Sequence, residues 1–163
     1  MDIHELGAGK LSALFSRNAS RDLFDAHHLL TKCRIETKKL RTAFVVYLAM
    51  SKIEIANLNP QFIESNILDI RNRLFPVLRQ TQLPYKQNDL KKWSAKILKE
   101  LQEALAILTP LTQDEIKFIT LIRDSAQIEP QLITDDISLM KAIQMHPAIV
   151  WATKKSIIGK DIE

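Results

Sequence analysis

Apolar residues recur at helical intervals along almost the whole chain. Ile3, Leu6, Leu11, Leu14 and Phe15 fall on one stripe, which predicts a first helix with one apolar face. Lys10 stands four residues after Leu6 and four before Leu14. Residues four apart are stacked neighbours on a helix, so its stem is expected to leave the apolar face. Asn18-Ala19 reads as a turn and Ser20 as the N-cap of a second helix. Arg21, Asp22 and Asp25 fall in the first two turns of that helix, among Leu23, Phe24, Leu29 and Leu30. A third helix is expected over about Glu36–Lys52, because the apolar run Ala43–Met50 has helical flanks with no Gly or Pro nearby.

Asn59-Pro60 is a helix start, with Asn59 as cap and Pro60 where a missing N–H is harmless. Phe62, Ile63, Ile67, Ile70 and Leu74 continue that helix to Pro76, which should end or kink it. Gln80–Tyr85 is the best connection in mid-chain. Leu90, Trp93, Ile97, Leu98, Leu101, Leu105 and Leu108 then form the clearest amphipathic stripe, expected to be the spine of the domain. Thr112 and Glu115 make a capping box, Leu111 and Ile116 a hydrophobic staple, and their helix should run to about Ala126. A short helix over about Asp135–Met145 and a last one opened by His146-Pro147 complete the chain. The expectation is all-α: one compact domain of about seven helices spanning residues 1–163.

Composition agrees. A hydrophobic content of 46% with three glycines suits a helical core rather than disorder. The longest apolar run is far too short to span a membrane, and no secretory signal is recognisable. The single cysteine, Cys33, cannot form an internal disulfide, so a cytoplasmic location is expected. Lys32, Arg34, Lys38, Lys39 and Arg41 face Glu36 alone in their segment, a surplus of four that equals the net charge of +4. They are candidate RNA-phosphate contacts, or a solvated helix face. No aromatic residue is interleaved to stack bases. His27 and His28 point about 100° apart on a helix and no metal-ligand spacing occurs, so no metal site is expected. Trp151 reads as a core anchor and His146 as a cap or core contact.

A lysine on an apolar face needs a counter-ion, because a buried unpaired charge costs on the order of several kcal/mol. Asp22 and Asp25 are the candidates, with Arg21 able to occupy whichever one Lys10 leaves. Such a cluster is either a structural fastening of two helices or part of a site.

Glu5, Gly7, Lys10, Ala13 and Leu14, followed by Arg21-Asp22-Leu23-Phe24-Asp25, resemble the AbiEii/AbiGii-type nucleotidyltransferase toxins of bacteria. The later segments Leu132-Ile133-Thr134-Asp135-Asp136 and His146-Pro147-Ala148-Ile149-Val150-Trp151 resemble that family's closing part. The residue after Trp151 is Ala152, where the family commonly has lysine. By that resemblance Lys10, Asp22 and Asp25 are catalytic candidates, and Lys10 and Arg21 nucleotide-binding ones. It implies transfer of a nucleotide from an NTP to an RNA acceptor, with Mg²⁺, in a toxin–antitoxin or abortive-infection system. The family's Gly-Ser turn and Asp-x-Asp metal pair do not occur in these residues. The chain is therefore expected to correspond to the C-terminal helical half of such an enzyme, inactive alone. Its expected partner is an N-terminal half, a cognate antitoxin or a second copy. The alternative is a helical interaction protein that binds a protein partner and catalyses nothing.

Overall fold

The computed structural model describes residues 2–78 and 89–158, with side chains up to Thr153 in the last helix. Among these residues there are eight α-helices and no strand: α1 (Ile3–Arg17), α2 (Ser20–Lys32), α3 (Thr37–Met50), α4 (Ile67–Asp69), α5 (Leu90–Ala104), α6 (Gln113–Ser125), α7 (Ile137–Gln144) and α8 (Pro147–Ile158). The all-α expectation holds. No helix of the described residues is long and apolar enough to cross a membrane. The expected connection Gln80–Tyr85 lies outside the described residues.

The centre is α3, not α5. Leu40, Phe44, Val45 and Leu48 are completely or almost completely buried, because α3 is apolar on several faces and packs against α1, α6 and α8. By contrast, α5 is apolar on one face and polar on the other, so it covers α2 on the flank. There Phe24 and Trp93 stack with ring centroids 6.1 Å apart, and His27 Nε2 meets Glu100 Oε2 at 2.8 Å. The Arg123 guanidinium of α6 donates to the carbonyls of Leu48 at 2.6 Å and Ile53 at 3.0 Å, tying α6 to the end of α3.

The capping box of α6 forms as expected: Thr112 Oγ1 accepts from the Glu115 N–H, and Glu115 Oε2 from the Thr112 N–H. The expected helix from Pro60 to Pro76 is instead broken. Asn59 caps a single 3₁₀ turn, Pro60–Phe62. Asn66 then caps α4, which passes into a π-helical turn over Ile70–Leu74 and a 3₁₀ turn over Phe75–Val77. Asn66 and Asn59 both offer side-chain acceptors, and each terminates the segment before it by starting a new one.

The buried face of α1 also differs from the expected stripe. His4, Gly7, Ala8, Leu11 and Leu14 are buried, while Ile3 and Leu6 are 40% and 45% exposed. Gly7 allows this orientation: a Cβ there would lie 2.9 Å from Leu40 Cδ1 and 3.0 Å from Leu29 Cδ2. The small residues let α1 approach α2 and α3 closely, which turns the larger Ile3 and Leu6 outward. Trp151, expected in the core, is 64% exposed on α8.

Candidate functional site

The tight connection between α1 and α2 positions the candidate residues. Asn18 closes α1 in the left-handed conformation, φ 48°, and its N–H bonds the Leu14 carbonyl. Asparagine tolerates that region better than most residues. The chain reverses at once, since Ala19 is already the N-cap of α2. Ser20, the expected cap, is the first helical residue. Its N–H is instead satisfied from a distance, donating to Asp69 Oδ2 at 2.9 Å. Hydrogen bonding from Ser20 holds the Asp69 carboxyl below its ordinary pKa.

This reversal sets two rungs of charge between α1 and α2. Nearer the turn, Arg17 Nε and Nη2 grip Asp22 Oδ2 and Oδ1 at 2.6 and 2.9 Å. Further out, Lys10 Nζ meets Asp25 Oδ2 at 2.5 Å. Lys10 and Arg17 are seven residues apart, hence on one face of α1 two turns apart. Asp22 and Asp25 lie three apart on the facing side of α2. The expected contact of Lys10 with one of the two carboxylates is therefore present, and Asp25 is its partner. Asp22 belongs to Arg17 rather than to Arg21, which is exposed. The missed signal was Arg17 itself, five residues before Asp22 across the turn.

The rungs differ in surroundings. The Asp22 side chain is 11% exposed and doubly hydrogen-bonded, which suits a fixed structural group. Lys10 and Asp25 are 36% and 45% exposed, so both remain accessible to solvent and to a ligand. Lys10 therefore lies at the edge of the apolar face rather than in its middle, beside the exposed Leu6. Among the described residues no group of three or more His, Cys, Asp or Glu could hold a metal ion. The carboxylates present do not fit Mg²⁺ either, since Asp22 is taken by a guanidinium and Asp25 by an ammonium.

The basic segment does not act as a unit. Arg41 points inward: it pairs with Glu115 at 2.6 Å and donates to the carbonyls of Ile107 and Pro110. Those bonds fasten α3 to the α5–α6 connection, so Arg41 is not presented to a nucleic acid. Lys39 pairs with Glu36 at 2.8 Å. Lys32, Arg34 and Lys38 are exposed. The family-like closing segment folds back to the start of α1, where Asp136 and His146 join His4 around a cavity of about 360 Å³.

No curated protein and no solved structure matches the chain. A family model does, over residues 1–108, and its description is Nucleotidyl transferase AbiEii toxin, Type IV TA system. That span contains Lys10, Arg17, Asp22 and Asp25, whereas the Leu132–Trp151 region lies beyond it. With about two thirds of its length matched, including the whole α1–α2 hairpin and its two charge rungs, the chain belongs to the AbiEii nucleotidyl transferase toxin family.

Proposed function

We propose that this chain supplies the phosphate-gripping side of a nucleotidyl transfer site in a toxin–antitoxin system, moving a nucleotide from an NTP to an RNA acceptor. The observation that carries this reading is the accessible Lys10–Asp25 pair, inside the span that matches the family. In the transfer an acceptor hydroxyl oxygen attacks the α-phosphorus and the bond to the β-phosphate oxygen breaks. Pyrophosphate leaves, and the hydroxyl proton passes to a base. Such chemistry depends on positioning and on stabilising growing negative charge. Lys10 is the group that would hold the triphosphate, with Asp25 orienting its ammonium and Arg21 nearby on the same helix. Asp22 and Arg17 act as positioning residues, keeping α1 and α2 in register.

The acidic metal-binding pair of the family does not occur in these residues, and Asp22 and Asp25 do not replace it. We assign that pair to a complementing chain or segment. The outward face of α1 suits its docking, since Ile3 and Leu6 stand exposed beside Lys10. The test is transfer of a radiolabelled NTP to RNA. The chain alone is expected to label nothing. Mixed with a protein that carries the Gly-Ser turn and the acidic pair, it is expected to label RNA, and Lys10→Met should abolish this. Labelling by the chain alone, lost on Lys10→Ala, would overturn the half-site reading. Equal labelling by wild type and Lys10→Met in the mixture would remove Lys10 from the chemistry.

The second reading is a helical protein that only binds a partner. It is favoured by the way both carboxylates are engaged in ion pairs joining two helices, and it predicts no labelling in either arm.

A further inference from the structure

The stripe of α2 that carries Asp25 continues away from the α1–α2 turn. His28 lies three residues on and Lys32 seven, so the three share a face over about 10 Å of helix. His28 and Lys32 are both exposed. Alongside them α5 contributes Trp93 and Lys96, and between the two helices lies a groove of about 250 Å³. Phe24, adjacent to Asp25 in sequence, forms one wall with Trp93; the two half-buried rings stack at 29°. Among the described residues Glu100 is the one acidic residue lining the groove, and it is already engaged by His27 at 2.8 Å and by Lys96 at 3.7 Å. Its carboxyl is lowered first by the His27 hydrogen bond, with Lys96 and Lys32 both close enough to add to the effect. Both lysines line the groove.

Aromatic rings beside cations on an open groove match the chemistry of an unpaired nucleotide strand. Bases stack on the rings and phosphates meet the ammonium groups, with little reading of sequence. Such a seat is not visible along the chain, because Trp93 lies about sixty residues from Lys32 and only the packing of α5 on α2 joins them. A duplex fits it poorly, since its internal bases are already stacked on both faces and leave none for the rings. We infer that the α2–α5 groove seats the single-stranded end of a polynucleotide, with Trp93 and Phe24 stacking a base, Lys32 and Lys96 holding its phosphates, and its reactive end directed along α2 toward Lys10–Asp25. This assignment rests on the nucleotidyl-transfer reading and names where its acceptor strand lies.

The test uses the full chain and fluorescein-labelled twelve-nucleotide single strands of RNA and of DNA, with a duplex of the same sequence, followed by anisotropy over a salt series. Both lysine contacts are expected in the salt dependence: Lys32→Glu with Lys96→Glu should reduce the slope of log K against log salt by about 1.4. Trp93→Leu should weaken binding by about tenfold or more, and Trp93→Phe should restore most of it. In a Trp151→Phe background, the fluorescence of Trp93 should be quenched as the strand binds. The preferred single strand, RNA or DNA, identifies the source of the strand. Unchanged affinity in the charge-reversed and Trp93→Leu proteins, with native circular dichroism, would overturn the proposal. So would a duplex that binds as tightly as the single strands, or no strand binding at all. The transfer assay with Lys10→Met separates the two levels. Strand binding without any effect of Lys10 on transfer keeps the groove and removes the transfer reading, and the opposite pattern does the reverse.

Discussion

Asp22 and Asp25 lie three residues apart on one helix and meet two different cations, with different consequences. Asp22, enclosed and gripped twice, fastens the hairpin; Asp25, half-exposed, leaves Lys10 within reach of solvent. Ion pairs as open as Lys10–Asp25 contribute roughly 0–1 kcal/mol, so Lys10→Met should change the urea-unfolding free energy by less than about 1 kcal/mol. Arg41 is the contrasting case. Its pair with Glu115 is mostly enclosed, and its remaining donors satisfy two backbone carbonyls. Arg41→Ala leaves the mostly enclosed Glu115 carboxylate without its cation, held only by the Thr112 N–H, and a loss of about 3 kcal/mol is expected by urea titration. Counting along the chain brought Lys10 to the right pair of carboxylates. It could not choose between them, because spacing within a helix favours Arg21 as the competitor and says nothing of Arg17 reaching across a turn.

Among the elements, those with local signals were legible and those shaped by neighbours were not. The box of Thr112 and Glu115 is written in four consecutive residues and formed as expected. The start of α2 was not legible, because the acceptor of the Ser20 N–H, Asp69, comes from another element forty-nine residues away. The buried face of α1 was not legible from apolar size, because close approach at Gly7 decides it. Ala126 closes α6 at φ 54°, a region costly for a residue with a Cβ, and Ala126→Gly should raise stability by about 1 kcal/mol in urea unfolding. Asp69, held low by Ser20, and Asp136, held low first by Ser138 and then by the Leu139 N–H, cap α2 and α7. Carboxyls with depressed folded pKa values contribute stability that is complete above their ordinary value and lost as pH falls through the folded one. The urea midpoint should therefore drop below about pH 4, and Asp69→Asn should flatten that dependence. A midpoint insensitive to acid would show that these caps carry little weight.

At the scale of the molecule, α3 organises the core, α1 packs directly on it, and α2 is held by α1 on one side and α5 on the other, so the charge rungs join the core through α1. Helical periodicity was sufficient for the all-α class, but it could not rank the helices. The stripe of α5 is the most regular among the described helices, yet a clean stripe marks a helix with one wet side, and the central α3 has no such side. The same packing leaves Ile3, Leu6 and the Lys10–Asp25 pair on one outward face. On the proposed reading this face would receive the complementing part, and Lys10 would matter for triphosphate binding rather than for stability. Titration of the chain with a nucleoside triphosphate, wild type against Lys10→Met, followed by calorimetry with urea unfolding of both proteins in parallel, tests this most directly. Triphosphate affinity should fall tenfold or more in Lys10→Met, with unfolding free energies within about 1 kcal/mol of each other. Equal affinity in two equally stable proteins would contradict it, and would make Lys10–Asp25 a fastening between helices.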